Sequence, residues 1–271
     1  MLFRSDRLAP LEKIAYEMMD PLKGMQMMSY LRFADQKMSF VQGSVGIGAP
    51  KLVAYDRKDG RKEYIVENVS GPNLSAVVLK LRDTPGMNAE AANQLFTLYL
   101  AAKRGDRVGY DKLNFKMPAA QIKAALKEIE AKPDVAKRFE EARAIYNKYN
   151  RNLMKFLEET GALSAQEAKR LSDTDDYIPF YREENGYAVL VVGGEGTFRI
   201  GNLKDQPQLR ELIGGEQKIL DFLTSSVQNT SMIIDIGLRN LATKNAMFEL
   251  QDLGLAQFLG SDTSGPDIVT F

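Results

Sequence analysis

The sequence predicts a mainly α fold, a helical bundle-like module with two small antiparallel β-hairpins. Three observations predict it. Apolar residues recur at spacings of three and four along most of the 271-residue chain, as the buried face of a helix requires. Proline, glycine and a Ser-x-x-Glu box stand where such stretches begin and end. Two segments, 51–67 and 187–200, are instead rich in β-branched and aromatic residues on either side of a turn.

Taken in order, Pro10 opens a predicted helix whose face is Leu11, Ile14, Ala15 and Met18, proline losing no hydrogen bond in a first turn. A second helix is predicted over 25–41, followed by a flexible turn in "GSVGIG", 43–48. That glycine cluster has no preceding strand and no following Lys-Ser or Lys-Thr, so it does not read as a phosphate loop. "KLVAYDRKDGRKEYIVE", 51–67, is the first hairpin, turning at Asp59-Gly60.

Helices are predicted over 72–82 and 88–104. The second has Ala91, Leu95, Leu98 and Ala102 on one face and Gly105 as its stop. Another runs over 118–131 from Pro118, and Pro133 separates it from a long helix over 134–160. There Phe139, Ala142, Tyr146, Tyr149, Leu153, Phe156 and Leu157 make a buried stripe. Gly161 closes that helix, and Ser164 with Glu167 has the capping-box spacing for a short one to about 171.

"DTDDYIPFYREENG", 173–186, follows as a proline-stiffened extended strap. Tyr177, Pro179 and Tyr181 alternate with Ile178 and Phe180, and the aspartates are expected in solvent. Tyr177, Pro179, Phe180, Tyr181 and Arg182 form the candidate interaction or packing motif, Arg182 pairing a carboxylate or capping a helix end. "YAVLVV" and "GTFRI" then make the second hairpin. The last helix is predicted over 216–253 with Ile219, Leu223, Val227, Ile234, Leu238, Leu241 and Phe248 inward. Asn229, Asn240 and Asn245 lie near that side as candidate buried polar positions. The closing "GPDIVTF" reads as a strand cut off from its partner, so a piece of a longer protein is expected. One module over 1–271 is the expected organisation, with a subdivision into 1–112 and 113–271 as its finer form.

Composition narrows the chemistry. Lys and Arg together equal Asp and Glu at 36 each, without the overall basic charge of a general nucleic-acid binder. The chain has neither cysteine nor histidine. Disulfides, thiolate metal sites, cysteine nucleophiles and all histidine-based triads are therefore excluded. No cofactor is called for. No apolar run reaches the length of a membrane span, and the charges in "MLFRSDRLAPLEK" stand where a signal peptide has its apolar core.

Two constellations remain. Asp173, Asp175 and Glu184 imitate the spacing of a calcium loop, but Ile178 fills the position that needs glycine and Pro179 follows it. "AAKRGDRVGYDK" gathers Lys103, Arg104, Arg107 and Lys112 around Tyr110. These are the candidate phosphate contacts of a nucleic-acid-binding reading, set against cations that complement a helix C-terminus. A carboxylate-dependent hydrolase centred on Asp175, Asp176 and Glu184 is the third reading.

"LFTLYLAAKRGDRV", "FEEARAIYNKYNRNLMKFLEETGALSAQEAKRL", "DYIPFYRE" and "LIGGEQKILDFLTSSVQNTSMIIDIGLRNLATKNAMFEL" occur in this order. In that order they resemble the large polyvalent proteins of bacteriophages and mobile elements. The Tyr-Ile-Pro-Phe-Tyr-Arg stretch and the Asn-rich last helix are the most specific pieces. The resemblance implies a helical, non-enzymatic segment of a long multi-domain chain that is packaged in the virion and delivered to the host cytoplasm. Its implied partners are other domains of the parent chain or other virion proteins. No catalytic residue is carried over by it.

Overall fold

The apolar stripe of residues 133–160 does form one continuous helix, and the rest of the molecule is arranged on it. The structure, a computed structural model, describes residues 21–56, 62–112, 118–173, 175–176, 182–184, 187–192, 196–202, 222–252 and 254. Its helices are α1 (Pro21–Gly46), α2 (Leu74–Arg82), α3 (Ala89–Val108), α4 (Ala119–Glu130), α5 (Pro133–Thr160), α6 (Ala165–Ser172) and α7 (Phe222–Asp252). A two-stranded antiparallel sheet pairs β1 (Pro50–Asp56) with β2 (Lys62–Asn68). A second sheet has the order β3–β4–β5, from Arg182–Glu184, Tyr187–Val192 and Gly196–Asn202. Mainly α with antiparallel hairpins is thus the observed class.

The predicted helix at 10–20, the turn at Asp59-Gly60 and Ile219 lie outside the described residues, as does the closing "GPDIVTF".

α5 and α7 run parallel. Tyr146 meets Ser226, Tyr149 meets Thr230 and Thr160 meets Asn240, so the offset between the two helices holds along about four turns. Their closest approach is at Gly237, where an added Cβ would lie 2.4 Å from the Phe156 ring. No side chain beyond glycine fits there. α1 packs along α7, and α2 and α4 pack on α5. Phe96, Tyr99, Phe139, Tyr146 and Phe222 meet edge-on or stacked at the centre, ring centroids 4.7 to 6.3 Å apart. One continuous core of buried side chains extends from Phe40 on α1 to Leu241 on α7. Among the described residues, no helix is long and apolar enough to cross a membrane.

Four expectations are corrected. "GSVGIG" is not a flexible turn: α1 continues through its first four residues. Two of its glycines serve close packing, since a Cβ on Gly43 would lie 2.2 Å from Asn68 Oδ1, and Gly48 has φ of 156° with the Val69 carbonyl against it. Asn68 Nδ2 donates to the Phe40 and Gly48 carbonyls and to Ser44 Oγ, tying β2 to the end of α1, while the Ile47 and Gly48 N–H groups close the helix on the Gly43 carbonyl. α3 passes through Gly105 and ends at Val108, because Gly105 is buried in the seam and Gly109, with φ of 96°, makes the turn.

The buried face of α3 is Ala92, Phe96, Tyr99, Leu100 and Ala102; of the predicted row Ala102 is buried and Leu95 packs against the core, while Ala91 is exposed. The two aromatic rings carry more apolar area than the alanine–leucine row and set the rotation of the helix. Phe248 lies 49% exposed, beyond the part of α7 that the main core covers.

Candidate functional site

The polar residues of α5 lie in one row. Glu140, Arg143, Asn147 and Arg151 fall at spacings of three, four and four, the period of a helix face. That row meets the aspartates that follow α6. Arg143 donates from Nε and Nη2 to the two carboxylate oxygens of Asp176, the Nη2 bond being 3.0 Å. Asn147 Nδ2 donates to Asp176 Oδ1 at 3.1 Å, and the Asp176 backbone N–H donates to Asn147 Oδ1 at 2.9 Å. Arg143 also donates to Glu140 at 2.6 Å, and Glu140 accepts the Tyr99 hydroxyl at 2.7 Å. Arg151 reaches Asp175 at 3.1 Å.

Asp176 is therefore not in solvent, which corrects the expectation for the aspartates. Its side chain is 2% exposed and its backbone lies in the left-handed region at φ 61°. A residue with a Cβ holds that conformation at a cost of about 1–2 kcal/mol, offset here by a bidentate guanidinium and an amide that reads both its side chain and its backbone. The hydrogen bond to Asp176 pushes the Arg143 pKa up against the opposing effect of burial, with Glu140 adding to the rise. Burial pushes the Tyr99 hydroxyl up, and its bond to Glu140 pushes it further.

The Asp176 carboxylate thus accepts three N–H bonds, two on Oδ1 and one on Oδ2, in a site closed to solvent. Asp176, the centre of the hydrolase reading, is engaged in structural bonds to α5. Asp175 stays at the surface in its pair with Arg151, and Glu184 pairs with Tyr187 in backbone register between β3 and β4.

Two further polar joints tie the helices. Asp235 on α7 accepts Lys37 of α1 at 2.9 Å and Arg239 of its own helix at 2.7 Å. Asn240 donates to the Thr160 carbonyl at 2.7 Å and so satisfies the C-terminus of α5. Of the other asparagines, Asn229 is buried at 2% and Asn245 is half-buried. Tyr149 and Thr230 share a 2.7 Å hydrogen bond, and burial pushes both the Tyr146 and Tyr149 hydroxyls up.

The basic residues at the end of α3 do not act as one set. Lys103 donates to Glu130 of α4 at 3.0 Å and lies over the Tyr99 ring at 5.3 Å. Arg104 is half-buried and its charge acts on the buried Tyr146 hydroxyl. Arg107 is exposed, and Lys112 lies in a single 3₁₀ turn, Tyr110–Lys112. Tyr177, Pro179, Phe180 and Tyr181 lie outside the described residues, and Arg182 opens β3 opposite Val189.

Nothing in the sequence marked Arg143 and Asn147 as partners of Asp176. The signal available was the polar row on α5 flanking its aromatic stripe, which indicates a contact without naming it. Among the described residues no cluster of three or more acidic side chains has the arrangement to hold a metal ion. Compared with protein-family models, with curated proteins and with solved structures, the chain gives no match to any of them.

Proposed function

We propose that the chain is a non-enzymatic structural and interaction module of a virion-packaged, injected polyvalent phage protein. The observation that carries the structural part is the use made of its polar side chains. Asp176, Asp235, Asn240 and Glu159 are each engaged in bonds joining separate elements, Glu159 accepting the Leu52 backbone N–H of β1 at 2.9 Å. Such groups hold a surface in shape; a reaction centre needs them turned toward a substrate. The phage context is supported by the resemblance in "DYIPFYRE" and the Asn-rich last helix, and its partners are then other domains of the parent chain or other virion proteins.

Mass spectrometry of purified particles from the phage or element that encodes the chain tests this reading. Peptides from residues 133–160 and 222–252 are expected in the particles and, after infection, in the host cytoplasm. Their absence from the particles overturns it.

A further inference from the structure

α3 and α4 bring two exposed cations together across one seam. On α3, Lys103 and Arg107 are four apart and share one face, with Tyr110 just beyond the helix in the 3₁₀ turn; on α4, Lys123, Lys127 and Glu130 are spaced four and three apart and share one face. The two rows meet antiparallel. Lys103 bonds Glu130 at one end, and Lys123 lies 4.6 Å from the Tyr110 ring centroid at the other. By sequence position the middle members, Arg107 and Lys127, fall opposite each other between these two fixed ends. Both are exposed, and neither makes a hydrogen bond or ion pair among the described residues.

The ends of the seam are complementary, cation to carboxylate and cation to ring face, whereas its middle sets like charges facing each other. That juxtaposition costs free energy until an anion lies between them. Between residues 101 and 132 cations outnumber carboxylates two to one, in a chain whose totals are equal. Asp106 and Asp111 stand nearby on α3 and the turn; Asp106 accepts the Tyr110 hydroxyl at 2.8 Å, which orients that ring beside the cations.

We propose that the α3–α4 seam is a docking surface for a nucleic-acid strand, with Arg107 and Lys127 holding a backbone phosphate and Lys123 extending the row one helical turn, about 6 Å, further. Tyr110 is the flanking ring. The exposed large apolar side chains of the described residues, Met38, Ile47, Tyr55, Tyr64, Val69, Leu79 and Phe248, all lie on other elements. Cations spaced one helical turn apart match a chain of backbone phosphates, and binding to an anionic lipid surface is the outcome that vesicles test. This goes beyond the structural reading and does not depend on packaging in a virion, so each can fail alone.

Fluorescence anisotropy of the full chain with labelled single-stranded and duplex oligonucleotides at about 50 mM salt tests it. The double substitution Arg107→Glu with Lys127→Glu should weaken binding by tenfold or more. The milder Arg107→Ala with Lys127→Ala should weaken it severalfold and lower the salt slope by about one for each phosphate no longer held. Lys148→Glu with Lys155→Glu, exposed on α5, makes the same charge change elsewhere and should leave affinity within twofold. The proposal is overturned if the α5 pair weakens binding equally, if the wild-type chain fails to bind, or if it binds anionic phospholipid vesicles and not oligonucleotides.

Discussion

Asp176 combines a strained backbone with a carboxylate that accepts three N–H bonds, and the two can be separated experimentally. Asp176→Ala keeps the left-handed strain and removes the anion, leaving Arg143 with Glu140 alone. A cost of about 3 kcal/mol is expected, the low end for an unpaired cation because Arg143 keeps partial access to water. Asp176→Gly also removes the anion but relieves the strain, so it should be about 1 kcal/mol less harmful. Denaturant unfolding of the two variants checks the order, and glycine proving the worse would refute the strain argument. Nothing in the primary structure distinguishes Asp176 from Asp173 or Asp175. The difference is made by Arg143 and Asn147, which reach it from a helix some thirty residues earlier.

At the level of elements, punctuation was legible and rotation was not. The Ser164–Glu167 box was visible because its geometry is local: Ser164 Oγ accepts the Glu167 N–H at 3.2 Å, and the Glu167 carboxylate accepts the Ser164 N–H at 3.0 Å. The Ser164 hydroxyl also donates to the Glu167 carboxylate at 2.7 Å, and this bond, followed by the one from the Ser164 N–H, holds the Glu167 carboxyl below its ordinary value of 4.5. A folded pKa below the unfolded one means stability that is complete above about 4.5 and is lost as pH falls through the folded value. Ser164→Ala should therefore destabilise the chain by about 1 kcal/mol at neutral pH and by less below pH 4, which thermal melts across pH would show. A penalty that is flat with pH would mean the reciprocal bond is not made. By contrast, the face that α3 buries depended on Phe96 and Tyr99 finding Phe139 and Phe222 from other helices. Spacing within one helix leaves that choice open between adjacent rows.

Across the whole molecule, burial shared among tyrosines sets the response to alkali. Tyr99, Tyr146 and Tyr149 all have hydroxyls raised from 10, by burial in each case. In the unfolded chain these groups ionise near 10 while the folded chain keeps them neutral, so the stability they contribute is whole below pH 10 and falls as pH rises beyond it. A steep loss of stability between pH 10 and 12 is expected, and Tyr149→Phe should flatten it while leaving the acid limb unchanged. Urea midpoints against pH would measure this, and an alkaline limb unaffected by Tyr149→Phe would count against it.

Period and punctuation along the chain were enough for the helical class, for the span of α5, and for the two hairpins, since each rests on contacts a few residues apart. The absence of histidine and cysteine likewise bounded the chemistry before any fold was known. The parallel pairing of α5 with α7, the burial of Asp176, and the placing of Arg107 opposite Lys127 rest on contacts some twenty to eighty residues apart. Such contacts depend on which helix faces bury the most apolar area together, and no single stretch of sequence contains that comparison.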